Sequence, residues 1–576
     1  MLPPLWGHFA LALPWWAVAN GRLPTTVQAL EKRMNTLVCI DVERTTTAPP
    51  RAAADAVPGK YLTDESRRMG TSCGLALPGS TAEVAAVMRE TAATGASVVV
   101  SGARTGISGG AVPAGEVVLS LERMNRILGV RRDDEGRFLV HCEAGVLLSE
   151  LQGAVRTGSF ADSARWDAAS QEALVELRAG SPQFYPPDPT ETGASLGGTL
   201  ACDASGAHTF RYGATRRHVR SLRVVLADGS LMKISRGECF AGPDGRFVLR
   251  RSDGSEARGT VPLYPQPPTK NAAGYYSGAG MDLIDLFIGS EGTLGVITEA
   301  EVALSPLPEL RCGVSLFCPS ENAAVQLTRD VRQQRDPLGI EAIEYVDPAA
   351  MAMLRAHREH MAEGSGVPEC LPADAACLLH LDLGMAAAEL GAALECIAKS
   401  ARDRGADPEV CWTAVDERER ERLRVFRHAV PECVNNRIAE IRKTHPDITK
   451  LGTDMAVPDE HLATMMRIYR EGLERAGLHA VVFGHIGDNH VHVNIIPQSP
   501  RDYEAGKQLY TEFARRVVAL NGSVAAEHGI GKLKVPFLEL MLGEEGLRQM
   551  RQVKSLFDPD WRLSPGTMLG SARPAN

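Results

Sequence analysis

Three histidines fall within eight residues in the stretch FGHIGDNHVHVNIIP, residues 483–497. His490, His492 and Asn494 alternate, so a strand here would turn all three to one side. His485 lies before a Gly-Asp turn that can fold it back onto them. Imidazole is the commonest transition-metal ligand near neutral pH, and this density exceeds what an apolar core explains. A hydrogen-bonded pair of structural histidines is the ordinary alternative. A second segment, AAEHGIGKLK, sets Glu527 beside His528 between glycines. One carboxylate and two imidazoles can hold a zinc-type ion with positions open for a substrate, and a neighbouring histidine can serve as a base. Taken singly, Glu527 and His528 read as a helix-end charge and a surface imidazole.

Such residues need a scaffold, and the chain supplies glycine-rich turns between regular elements. In PGSTAEVAAVMRETAATGASVVVSG, Ser80 and Glu83 form a capping box, and Val84, Val87 and Met88 mark one helical face. Gly95 suits the left-handed position that ends the helix, and residues 97–100 read as a buried strand. That strand runs into SGARTGISGG at 101–110, followed by a further strand at 117–121. The loop matches neither the dinucleotide fingerprint nor a P-loop, yet its many exposed amides can approach an anion closely. A second glycine-rich stretch covers 185–213 and leads into SLRVVLADGS with its Asp-Gly turn. A third, GSEGTLGVITEAEVAL, ends near Leu304. The stretch GPDGRFVLRRSDGSEARG reads as a polar hairpin, and after Pro306 amphipathic helices alternate with strands, among them the charged VDERERERLRVFRHAVPECV. No internal repeat is evident.

Three such loops in this order resemble the FAD-binding family of p-cresol methylhydroxylase and vanillyl-alcohol oxidase. The residues that carry the likeness are Thr105-Gly106-Ile107-Ser108-Gly109-Gly110, Pro187-Asp188-Pro189 with Gly197-Gly198, and Gly289-Ser290-Glu291-Gly292-Thr293-Leu294-Gly295. The resemblance spans residues 61–569 and implies an α+β fold: a two-subdomain FAD-binding domain of the vanillyl-alcohol oxidase type and an α+β substrate (cap) domain with a ferredoxin-like sheet. The divisions expected are an N-terminal extension at 1–55, the FAD-binding domain at 56–305, the cap with the metal site at 306–540, and a segment at 541–576 returning to the FAD domain. By the same resemblance Ser101, Gly102, Ala103, Arg104, Thr105, Gly106, Ser108 and Gly109 wrap the FAD pyrophosphate. Pro187, Asp188, Ser195, Gly198 and Ser205 line the flavin, with Gly292 and Ile297 beside it. Some relatives attach FAD through a histidine in the first loop; Thr105 stands there, so noncovalent FAD is expected. Cys202 and Asp203 depart from the usual pattern of the second loop.

The histidine motifs narrow the resemblance to the D-lactate, D-2-hydroxyglutarate and glycolate dehydrogenase branch. Carried over, His485, His492 and Glu527 are ligands of a divalent ion, zinc or manganese, and His528 is the base. Asn494 belongs to the same catalytic pattern, and no role passes to His490, where relatives often have asparagine. Arg427 matches the arginine that grips the substrate carboxylate, a role suited to a guanidinium fork, and Lys450 is a second candidate anchor. The implied reaction moves a hydride from a small D-2-hydroxy acid to flavin N5. Phenol or alcohol oxidation, alkyl-dihydroxyacetonephosphate synthesis, and a flavin subunit that only relays electrons are the rival readings.

Composition agrees with an ordinary globular protein: 44% hydrophobic and 23% charged over 576 residues. A net charge of -9 argues against a nucleic-acid partner, which needs a basic excess. The 12 cysteines contain no C-x-x-C pair, so they are read as reduced thiols in a cytoplasmic protein, and electrons must leave to a quinone, cytochrome, flavoprotein or iron–sulfur partner. Peripheral contact with the inner membrane and the oligomeric state stay open. Residues 1–20 are apolar and end in Ala17-Val18-Ala19, but they lack a basic start and are broken by Pro3, Pro4 and Pro14. An over-extended N-terminus with Met34 as the true start is favoured over an exported leader.

Overall fold

The computed structural model describes residues 49, 51–360, 367–368 and 371–570. The readings of the apolar N-terminus and of Met34 lie outside the described residues. Three sheets organise the rest. A four-stranded sheet runs in the order Arg51–Ala53, Gly74–Ala76, Val117–Ser120, Val98–Ser101, the last three strands parallel. An antiparallel five-stranded sheet follows the order Ile127–Arg132, Phe138–Glu143, Val296–Ala303, Val219–Val225, Leu231–Ser235. The third, of eight strands, is antiparallel throughout and gathers residues 310–495. This is the mixed α+β arrangement the resemblance implied.

Local chemistry explains the elements that flank the first glycine loop. The helix Thr81–Thr94 starts where the Ser80 side chain accepts from the Glu83 amide, and stops at Gly95 with φ 71°. The Glu83 carboxylate reaches back to the amide of Gly79, one residue earlier than a standard capping box places it. Val84, Val87 and Met88 are buried, as their spacing requires. The strand Val98–Ser101 then delivers the chain into the loop. The polar hairpin forms as Arg246–Arg250 against Glu256–Thr260, and the charged segment as the helix Glu417–Arg442, capped by Asp416.

Two features fix the positions of the site residues. First, the strands Ala480–His485 and His490–Ile495 form a hairpin in which His485 pairs with His490 and Phe483 with His492, so His485, His490, His492 and Asn494 share a face. Gly484 sits at φ +119°, and a Cβ there would lie 2.7 Å from His492 Cδ2. Second, the C-terminal end returns to the first sheet: Leu563 bridges to Val98, and Ser564 N–H donates to the Val98 carbonyl at 2.7 Å. A buried ion pair anchors this return. Lys554 Nζ donates to Asp558 Oδ2 at 2.6 Å and to the carbonyls of Thr293 and Leu563 at 2.9 Å each. Asp558 also accepts from the amides of Arg562 and Leu563.

Both features make predictions. Asp558→Ala leaves a buried ammonium without its counter-charge, so stability falls by about 3–5 kcal/mol; an unchanged urea midpoint would show that this pair does not hold the C-terminal return. Gly484→Ala combines a backbone conformation disfavoured for an L-residue with a clash on His492, and costs about 1–3 kcal/mol, read as a lower thermal midpoint.

Candidate functional site

The three glycine loops converge on one cleft. Gly102, Ala103, Arg104, Thr105, Gly106 and Ser108 line it from the first loop. Ser195, Gly198, Cys202 and Ser205 line it from the second, and Glu291, Gly292 and Ile297 from the third. The first two loops are joined by Ser195, whose Oγ caps the helix Leu196–Cys202 and accepts from the Ala103 amide at 3.2 Å. A Cβ on Gly102 would meet that Oγ at 2.4 Å, which is why glycine stands there. The other expected flavin contacts flank these residues. Ser101 is buried at the end of its strand, Gly109 packs against Leu533, and the stretch of Pro187 and Asp188 turns its carboxylate to His208, whose amide it holds at 3.1 Å. Asp203, one of the two departures, is structural. It binds Arg216 through its main-chain amide and its guanidinium at 2.8 and 2.9 Å.

Glu527 and His528 close the same cleft, although they come from a segment far along the chain. Glu291 draws that segment in by accepting from the amides of Ile530 and Gly531 at 2.7 Å each. Burial pushes the Glu291 carboxyl up to about 7 against the pull of those two amides. The Ser108 carbonyl accepts from Lys532 N–H at 3.0 Å, so the first and third loops grip the segment together.

Around Glu527 the hairpin histidines assemble. One donor atom each from His485, His490, His492 and Glu527 lies within 4.8 Å of the others. His485 Nε2 is 3.3 Å from Glu527 Oε1, and its Nδ1 is 2.6 Å from Glu344 Oε1. Burial disfavours charge on His485, but Glu344 and Glu527 outweigh it and raise the imidazole to about 10. The proton on Nε2 is therefore the one a cation would displace. His492 Nδ1 is set 2.9 Å from the Thr453 carbonyl, which leaves Nε2 free; burial and the neighbouring imidazoles hold this ring well below its ordinary value. Burial likewise keeps Glu527 from its charge, yet Lys270, His485 and His490 together hold it well below the usual carboxylate range. Two imidazoles held neutral, a third that gives up its proton on binding, and an ionised carboxylate are a donor set that fits a zinc-type ion.

Several participants carry no signal in the sequence. Lys270 is buried and donates to Glu527 and, at 3.0 Å, to the Gly206 carbonyl. Asp454, fully buried, accepts from the amides of Glu527 and His528 at 3.0 Å each and from Lys534 Nζ at 2.6 Å. Its Oδ2 also lies 3.4 Å from His528 Nδ1. The carboxylate thus faces Nδ1, and burial keeps the ring below its ordinary pKa. Arg427 stands on the helix Glu417–Arg442 with Nη1 3.5 Å from Asp382, which also faces His380 at 3.0 Å and His208 at 3.5 Å. Asn494 is buried on the histidine face. Lys450 is exposed and donates to Asn435 at 3.0 Å. A lone lysine or aspartate is locally unremarkable, and only spatial convergence identifies Lys270, Asp382 and Asp454.

Among the described residues ten cysteines are free, and no helix is long and apolar enough to cross a membrane. Residues 307–568 match the family described as FAD linked oxidases, C-terminal domain, and residues 74–170 and 168–235 match the FAD binding domain. A D-lactate dehydrogenase of Anaerostipes hadrus is 30% identical over 84% of this chain and 87% of its own. A D-2-hydroxyglutarate dehydrogenase of Xanthomonas citri pv. viticola is 28% identical over 88% and 92%. Among solved structures, a 4-ethylphenol oxidase from Gulosibacter chungangensis superposes with a TM-score of 0.57 at 18% identity, covering 89% of this chain and 90% of its own, a likeness of fold. Glycine loops on one cleft, matches along both halves and a relative at 30% identity lead to one conclusion: the chain belongs to the FAD-linked oxidase family and is an FAD-dependent oxidoreductase.

Proposed function

We propose that this protein oxidises a D-2-hydroxy acid, D-lactate in the first place, to the 2-oxo acid, using noncovalent FAD and a divalent ion. One observation carries the reading: the cleft of the three glycine loops ends on Glu527 and His528, within the histidine and carboxylate cluster. FAD, when bound, supplies the hydride acceptor, and a divalent ion held by His485, His492 and Glu527 supplies a Lewis acid that makes a hydroxyl more acidic. The protein's own groups do the rest. His528, oriented by Asp454, takes the hydroxyl proton at Nε2. Arg427, held by Asp382, grips the carboxylate. Asn494 adds a polar group on the same face as the histidines. Lys450, the cation considered for a second substrate carboxylate, is exposed and donates to the neutral Asn435. The division into a FAD-binding part at 56–305, a cap at 306–540 and a returning segment at 541–576 belongs to the same proposal, as does an external electron acceptor.

Anaerobic titration of the purified holoenzyme with D- and L-2-hydroxy acids, with and without chelator, tests it. D-lactate is expected to bleach the flavin, the L-isomer to leave it oxidised, and chelation to slow the bleaching. A flavin that answers to none of the acids would overturn the reading in favour of an electron-relaying subunit. His528→Ala is expected to lower the rate of flavin reduction by about 10²–10⁴-fold; full-speed reduction removes it as the base. Arg427→Ala is expected to raise KM by about 10- to 100-fold, the loss of a charge-assisted contact, measured by steady-state kinetics.

A further inference from the structure

His490 is the residue of the hairpin to which neither the family likeness nor the proposed mechanism gives a role. It is fully buried, faces His485 across the strand pair, and has its ring centroid 4.5 Å from that of His492. Burying an imidazole is costly unless its nitrogens are satisfied, and neither nitrogen of His490 makes an aligned hydrogen bond. Nε2 lies 3.1 Å from Asp454 Oδ1, near but off line, and Nδ1 lies 3.8 Å from Glu527 Oε1.

The arrangement repeats what its neighbours do. His485 turns Nδ1 to Glu344 and His492 turns Nδ1 to the Thr453 carbonyl, while His490 turns Nε2 toward Asp454. Each ring thus has one nitrogen against an oxygen, the outer anchoring found for metal-bound imidazoles. The other nitrogen of each remains for the centre of the cluster. Tetrahedral bonds of about 2.0–2.1 Å separate donor atoms by about 3.4 Å. The two distances from Glu527 Oε1, 3.3 Å to His485 Nε2 and 3.8 Å to His490 Nδ1, lie close to that spacing.

We propose that His490 is a fourth protein donor, so that this chain holds its cation with three imidazoles and the Glu527 carboxylate. This rests on the reading that the cluster binds a divalent ion. Three imidazoles select a borderline cation of the zinc type over the harder manganese, whose usual partners are oxygens.

X-ray absorption at the edge of the resident metal in the wild-type holoenzyme counts the imidazoles directly, and zinc content by mass spectrometry gives the stoichiometry. Three imidazoles on one zinc are expected, and two would overturn the proposal. His490→Asn and His490→Gln, competed for zinc against a chromophoric chelator, are expected to bind about 1,000-fold more weakly, beyond the 10–100-fold that losing an outer-shell partner costs. Unchanged zinc affinity in either variant would also overturn it. A wild-type enzyme that retains no divalent ion sinks the metal reading beneath it, whereas one ion with two imidazoles sinks the role of His490 alone. The wild-type spectrum decides even where neither variant folds.

Discussion

The site depends on how one buried carboxylate is satisfied. Asp454 has no exposure to water, and a charge in that position is tolerated only where donors surround it. They do: the amides of Glu527 and His528 and the ammonium of Lys534 all point to it, and against the cost of burial the neighbouring His528, Lys534 and His490 hold its carboxyl well below the usual range. Because two of these donors are the backbone of the very residues that close the flavin cleft, satisfying Asp454 and placing Glu527 and His528 are the same event. The rest of the cluster follows from charge balance. Glu527 is matched by Lys270, and Glu344 by His485, so acidic groups crowd together without leaving an unpaired charge.

This arrangement couples distant parts of the chain. The cleft is built by loops before residue 300, but its end wall comes from Glu527 and His528, whose segment is drawn in by Glu291 and Ser108. Glu291 adopts a left-handed φ of 50° to do so, a conformation that persists in a non-glycine residue only where the surroundings enforce it. The C-terminal return, fastened by Lys554, Asp558 and Arg562, pairs with the edge strand of the first sheet at Val98. The loops that shape the cleft therefore also position Glu527 and His528 at its end.

Much of this was legible from residues alone. The capping of Thr81–Thr94, the hairpin of 246–260 and the charged helix after Asp416 rest on local signals, namely caps, turn residues and apolar spacing, that survive any tertiary context. The hairpin face of His485, His492 and Asn494 was readable from alternation and a Gly-Asp turn, and the glycine loops from their order. His490 shared the same alternation but fell outside the family pattern, so its convergence on Glu527 emerged only in space.

What sequence by itself determined, then, is the set of strands, helices and loops and the presence of a histidine-rich strand pair beside a glycine-bounded Glu-His, because each is encoded within a few residues. What tertiary structure decided is which charges meet. Lys270, Glu344, Asp382 and Asp454 are ordinary residues in the chain, separated from their partners by up to 257 positions in the case of Lys270 and Glu527. Strand pairing that turned out antiparallel along the whole eight-stranded sheet, and the docking of 527–533 onto two earlier loops, are long-range choices. No local propensity encodes them, because they are set by the burial of shared surface and by the need to pair every buried charge.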